Sequence, residues 1–293
     1  MLYDLFPESI ERARTAIAGY AQIFRRDLSA TDAALDAARE RLAFSTDLAT
    51  AVADAGLVIE AVPENADIKR DTYRKLAPLL PVDTILATNT STLLPRELAE
   101  ATGRPDRYVA LHFANLIWAN NLAEVMGHPG TSLQTYEAVT RFAIEIGMVP
   151  IPVGKENHGF VLNAWLDPML ATAQTLITEG VTTPEVLDRT YLIANRGAQY
   201  GPCAIMDIIG MKTTHDVFML FAEREGNEQW RRNAAYLREH FIDKGHLGLQ
   251  SGRGYYTYPD PAYAAPGFLD VPELSEAASI ARQAAGLSAD RAG

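Results

Sequence analysis

Two side chains suited to moving a proton, His112 and Glu124, stand at the ends of two short apolar runs inside Arg107–Gly127 (RYVALHFANLIWANNLAEVMG). The ordinary pKa of an imidazole lies nearest physiological pH, so it can take a proton from an alcohol and give it back. A carboxylate against its other nitrogen would fix the tautomer and stabilise the imidazolium. A short connection joins the runs, which predicts adjacent antiparallel strands and brings the pair together. The plainer alternative is a core histidine satisfied by backbone and an unrelated surface acid. Spacing alone leaves both open.

Two further groups stand nearby in sequence. Thr88-Asn89-Thr90-Ser91-Thr92 follows a predicted strand ending at Ala87, and open α/β sheets bind ligands beyond the carboxyl ends of their strands. Asn89 and Ser91 are candidates for a ribose or a substrate oxygen. The same residues also suit a helix cap and turn. Lys69, Arg70, Arg74 and Lys75 follow Glu64-Asn65 on one predicted helix. They form either an anion-binding face, with Lys69 the foremost candidate, or a solvated helix face.

The elements that must position these groups read as follows. Met1–Asp4 is the end of a strand. A helix opens at Pro7, with Ile10, Ile17, Tyr20 and Phe24 at helical spacing, and a second spans Thr31–Leu42. Apolar runs at Leu57–Val62, Thr84–Ala87, Tyr108–Phe113 and Val149–Val153 then alternate with helices near Asp67–Leu80 and Ser132–Ile146. This pattern predicts an α/β fold with a mostly parallel sheet covered on both faces. Beyond Asn157 only helices are predicted, at His158–Glu179, Thr183–Ala194, Thr213–Glu225 and Glu228–Phe241. The predicted organisation is a Rossmann-type domain over 1–155, an all-α domain over 156–258, and a Pro- and Ala-rich, loosely attached tail over 259–293 with at most one short helix.

Composition narrows the function classes. The 293 residues are 48% hydrophobic and 22% charged, as in a globular protein with a substantial core. A net charge of −11 argues against nucleic acid as a partner. No apolar run is long enough to span a membrane, and MLYDLFPESIERAR has no basic-then-apolar leader. The lone Cys203 reads as core filler in a reducing compartment. A cytoplasmic location is the expectation.

The segments LVIEAVPEN, TNTST, LHFAN…AEVMG, GFVLN, YGPCAIMDIIG and KGHLGLQSGRGYYTY occur in that order between Leu2 and Tyr258. Together they resemble the 3-hydroxyacyl-CoA dehydrogenase family, and within it the diketoreductase and L-gulonate dehydrogenase/lambda-crystallin branch. The resemblance implies NAD as cofactor, no metal, a small-molecule substrate and a homodimer formed through the helical domain. It implies that His112 is the base and that Glu124 orients it, while Ser91 and Asn163 hold the substrate oxygen and the catalytic geometry. Asn115 falls beside the nicotinamide. Glu64 and Lys69 match cofactor- and CoA-contacting positions, and Asp4 matches the acid on the adenosine ribose, which favours NAD over NADP. The substrate implied is a 3-hydroxyacyl-CoA or 3-hydroxy acid. The alternatives are a diketo ester or sugar acid, or a catalytically silent structural relative.

Some positions depart from the family pattern. Leu116 stands where a proline is common, His158-Gly159-Phe160 replaces Pro-Gly-Phe, and Ala164 replaces an arginine. The altered loop Leu116–Asn121, with Trp118, is predicted to line the substrate mouth and favours a substrate smaller than acyl-CoA. Only three residues precede Asp4, and no G-x-G-x-x-G lies ahead of it. About 30 residues of strand and glycine loop are expected before it, and the chain as written is expected to hold NAD weakly.

Overall fold

In the computed structural model, residues 1–166 and 202–287 (apart from 227 and 269) are described, with scattered positions between them. The chain divides into two compact units, Met1–Leu170 with Val271–Ala289, and Ala171–Asp270 with Asp290–Gly293.

The first unit alternates strands and helices in the predicted order. β1 (Leu2–Tyr3) leads into α1 (Pro7–Leu28), which carries proline in its first turn, and α2 (Asp32–Arg41) follows, its N-terminus capped by Thr31. β2 (Phe44–Ser45) pairs with β1 in parallel. α3 (Leu48–Val52) then precedes β3 (Leu57–Glu60), and α4 (Ala66–Leu76) is capped by Asn65, whose Oδ1 accepts two backbone N–H groups. β4 (Ile85–Thr88), β5 (Tyr108–Phe113), β6 (Leu122–Met126), α5 (Leu133–Glu145) and β7 (Val149–Pro152) complete the order. The main sheet runs β3-β4-β5-β6-β7, and β6 is antiparallel to β5. Among the described residues β1 pairs with β2 alone and β3 with β4 alone. At the other edge, β7 carries Pro150 and Pro152 at alternate positions, so its outer side cannot donate to a further strand.

Both faces of the sheet are buried. Val109, Leu111, Ala123 and Val125 point to one face, against Tyr136, Val139 and Ala143 of α5. Leu86 and Tyr108 point to the other, against Val52, Tyr73 and Leu76. Within the segment read from sequence as a loose tail, the one short helix it allowed is docked on this core. α9 (Ala277–Ala284) packs on α5, with Ala277, Ala281 and Ala284 buried. Its contact surface is built of alanines, which bring a helix close without the large apolar residues that mark an amphipathic pattern.

In the second unit α6 (Pro202–Ile209), α7 (Met211–Glu225) and α8 (Glu228–His240) are helical, matching the all-α expectation where residues are described. Most of the helices expected over His158–Glu179 and Thr183–Ala194 lie outside the described residues. The glycine-punctuated ending closes over Asp207. This buried carboxylate accepts the N–H groups of Tyr255 and Tyr256 at 2.9 and 3.0 Å and the Tyr258 hydroxyl at 3.0 Å. A Cβ at Gly254 would lie 2.0 Å from Asp207 Oδ1, which explains the glycine there.

Candidate active site

Strand alternation puts Tyr108, Ala110 and His112 on one face of β5, and the β5–β6 register sets His112 directly opposite Glu124. Directly opposed residues in an antiparallel pair are close enough for their side chains to meet. His112 Nδ1 lies 2.8 Å from Glu124 Oε2, with the two residues 6% and 1% exposed. A carboxylate only accepts, so the bond puts a proton on Nδ1 and leaves Nε2 as the basic nitrogen.

The other oxygen of Glu124 is also fixed. Oε1 accepts the N–H groups of Val161 and Leu162 at 2.8 and 2.9 Å. The turn that presents them has left-handed backbone at Gly159 (φ 74°) and Phe160 (φ 55°). A Cβ on Gly159 would meet the Ala164 nitrogen at 3.0 Å, so the position requires glycine. Phe160 is buried and its ring lies 5.3 Å from the imidazole, holding the plane of the base. These contacts also explain why the compact first unit extends to Leu170, beyond the predicted boundary at 155: the first turn of the helical region is bonded to a sheet carboxylate.

The Thr88–Thr92 run lies at the carboxyl end of β4, whose Thr88 is in register with Ala110 of β5. It is organised by Glu64. Glu64 Oε1 accepts the N–H groups of Ser91 and Thr92, both at 3.1 Å, and the hydroxyls of Thr92 (2.9 Å) and Thr90. Burial pushes the Glu64 carboxyl up, but the hydroxyls of Thr90 and Thr92 and the Lys69 ammonium outweigh it and hold it at about 2. On the other side of the loop, His158 Nδ1 donates to the Thr92 carbonyl at 2.8 Å. Asn89 Oδ1 accepts the Phe113 N–H at 3.0 Å, joining the ends of β4 and β5 one residue past His112.

Lys69 does not form the open anion site that its charge suggested. It is 1% exposed, and its ammonium is bonded to Glu60 at 2.8 Å and Glu64 at 3.2 Å. Its influence on a ligand would pass through Glu64. The neighbouring cations are largely neutralised as well, Arg70 by Asp67 and Lys75 by Asp71, while Arg74 is exposed.

The sequence reading missed Glu60. Its carboxylate accepts from Val62 N–H (2.7 Å), Lys69 (2.8 Å), the Tyr73 hydroxyl (2.5 Å) and the Thr88 hydroxyl (2.9 Å). The available signal was an acid in the middle of an otherwise apolar strand, LVIEAV.

The remaining candidates are placed by their elements. Asn163 is in the helical stretch that opens at Leu162, directly after the two N–H groups that hold Glu124. Asn115 is on the exposed β5–β6 loop, where its carbonyl accepts from Asn120 at 3.0 Å. Asp4 follows β1 and accepts the Phe6 N–H at 2.9 Å. Asp4, Glu64, Ser91 and His112 thus lie at or just beyond the carboxyl ends of parallel strands, the edge where a dinucleotide lies across such sheets. Acid and amide groups there fit the ribose and nicotinamide ends of NAD. The N-terminus of α1 offers little to a diphosphate, because Pro7 lacks an N–H and that of Phe6 is taken by Asp4.

Comparison with known proteins agrees with this layout. The profile of the 3-hydroxyacyl-CoA dehydrogenase NAD binding domain matches residues 1–157, and that of the family's C-terminal domain matches 159–258. The chain is 34% identical over 218 residues to a probable 3-hydroxybutyryl-CoA dehydrogenase of Deinococcus radiodurans, covering 74% of this chain and 77% of that protein. It is 31% identical over 235 residues to human mitochondrial hydroxyacyl-coenzyme A dehydrogenase, covering 80% of this chain and 74% of that one. A solved diketoreductase, described as acting on dicarbonyl compounds, is 45% identical with a TM-score of 0.62, covering 87% of this chain and 89% of its own.

Proposed function

This chain belongs to the 3-hydroxyacyl-CoA dehydrogenase family of NAD-dependent oxidoreductases, and from that premise we propose that it interconverts a 3-hydroxy acid derivative and its 3-keto form with His112 as the base. NAD, when bound, accepts or returns the hydride at C3. In the oxidising direction His112 Nε2 takes the hydroxyl proton as the C3–H pair departs, and in the reducing direction it returns that proton to the carbonyl oxygen. Glu124 holds the imidazole in the required tautomer and stabilises its charged form. Ser91, held by Glu64, and Asn163, adjacent to the groups that hold Glu124, orient the substrate oxygen. Asp4 serves the adenosine ribose, Asn89 and Asn115 the nicotinamide side.

The observation that carries this reading is the buried 2.8 Å bond between His112 Nδ1 and Glu124. The test is NADH consumption or formation at 340 nm across a panel of 3-keto and 3-hydroxy substrates. Turnover in the wild-type chain at saturating NAD(H) that is lost in His112→Gln supports the reading; equal rates in both refute it, as does a wild-type chain that binds NADH and turns over nothing.

The 45% identity to a diketoreductase favours a second, narrower reading, a keto acid or ester in place of a CoA thioester. We also propose a cytoplasmic homodimer. Trp165, 51% exposed, and the partly exposed Leu166 and Met169 support pairing through the helical region.

A further inference from the structure

The loop between the two strands of the dyad is tied to α1. Trp118 lies six residues past His112, and its ring sits 5.4 Å from that of Tyr20 and 5.9 Å from that of Phe24. Tyr20 and Phe24 stack on each other at 5.8 Å, one helical turn apart. The loop is shaped to deliver this ring. Leu116 takes a left-handed φ of 57°, uncommon for a branched residue, and its carbonyl accepts from Ala119 at 2.8 Å and Asn120 at 2.9 Å.

Resting on the dehydrogenase reading, we propose that Trp118, clasped by Tyr20 and Phe24, is a specificity-determining residue that closes the passage between the β5–β6 loop and α1, so that the site takes a short 3-keto or 3-hydroxy acid or simple ester and excludes a CoA thioester. Three observations support this. Trp118 belongs to the loop that leaves the carboxyl end of β5 just past His112, and its ring bridges that loop to α1. A CoA arm carries several phosphate charges and needs cations along its path, yet the arginines beside the clasp are already engaged, Arg25 with Asp32 at 2.7 Å and Arg26 with Asp27. The solvent side of the loop is apolar, with Leu116 and Ile117 56% and 44% exposed, which suits an uncharged substrate tail.

The experiment compares kcat/KM for acetoacetyl-CoA and ethyl acetoacetate in the wild type, Trp118→Ala, Tyr20→Ala and Trp118→Phe. Trp118→Ala should raise the thioester-to-ester ratio by about 10- to 100-fold, mainly through the thioester KM. Tyr20→Ala should shift it in the same direction by less, because the indole keeps one partner. Trp118→Phe, which preserves an aromatic clasp, should stay near the wild-type ratio. Calorimetric titration with acetoacetyl-CoA gives a readout independent of turnover, with binding gained in Trp118→Ala. Ratios within about twofold of wild type in both alanine variants, or tight thioester binding by the wild type, overturn the clasp. A wild-type chain inactive on both substrates counts against the dehydrogenase reading instead, and the titration still decides the clasp.

Discussion

Glu60 and Glu124 lie in the same sheet, 4% and 1% exposed, each with hydrogen bonds to both oxygens, yet they do different work. Glu60 is saturated by four donors: a backbone N–H, an ammonium and two hydroxyls. Burial drives the Tyr73 hydroxyl above its ordinary pKa, so it too remains a donor. Glu124 gives one oxygen to two backbone N–H groups and the other to an imidazole, a partner that can gain a proton. A buried carboxylate saturated by four donors from its own scaffold holds a fold together. One that shares a bond with a titratable ring can support chemistry.

The largest effects should separate these roles. Glu60→Ala leaves the Lys69 ammonium buried beside a single, partly exposed carboxylate, and it should cost about 3–5 kcal/mol of stability, read as a lowered Tm or denaturation midpoint. His112→Ala should cost about 10²–10⁴-fold in kcat with far less effect on stability. If the two variants have similar profiles in both assays, the contrast between the carboxylates is wrong.

Thr88→Val comes next. It removes one of four donors to Glu60 while keeping the shape of the side chain, and should lower stability by about 1.5–3 kcal/mol, as for a hydrogen bond to a charged group. A change below about 0.5 kcal/mol in chemical denaturation would mean that Glu60 does not depend on this bond.

The smallest effect concerns the Ser91 loop. The Glu64 carboxyl is depressed to about 2, so its stabilisation of the loop is fully present above its unfolded value near ~4.3 and is lost as pH falls from there toward 2. The protection of the Ser91 and Thr92 amides, relative to their intrinsic exchange rates at each pH, should therefore fall across that window, and Glu64→Gln should flatten the response. An unchanged pH response in the variant would assign it to another group.

Much of this arrangement was legible in the sequence because it rests on short-range patterns. Alternating apolar runs and helices foretold the parallel sheet. The short connection after Phe113 foretold the antiparallel β5–β6 pair, and that pairing alone brings His112 to Glu124. What was not legible depended on partners distant in sequence. Lys69 reads as a surface cation because lysine is rarely buried without a partner, and its partner Glu60 belongs to another element. Phe160 and the N–H groups of Val161 and Leu162 carry no side-chain signature of a site, although they hold the base and its acid in place. The docking of α9 was hidden by its composition, since the alanines that bury it also read as part of a loosely attached Pro- and Ala-rich tail.

The central claim is that His112 and Glu124 act as one unit, and a double-mutant cycle on kcat tests it most directly. His112→Gln and Glu124→Gln should each lower kcat strongly, and the double variant should be no slower than His112→Gln alone by more than about threefold, because the carboxylate has no role without the imidazole. Losses that simply multiply in the double variant would show two independent contributions and contradict the account.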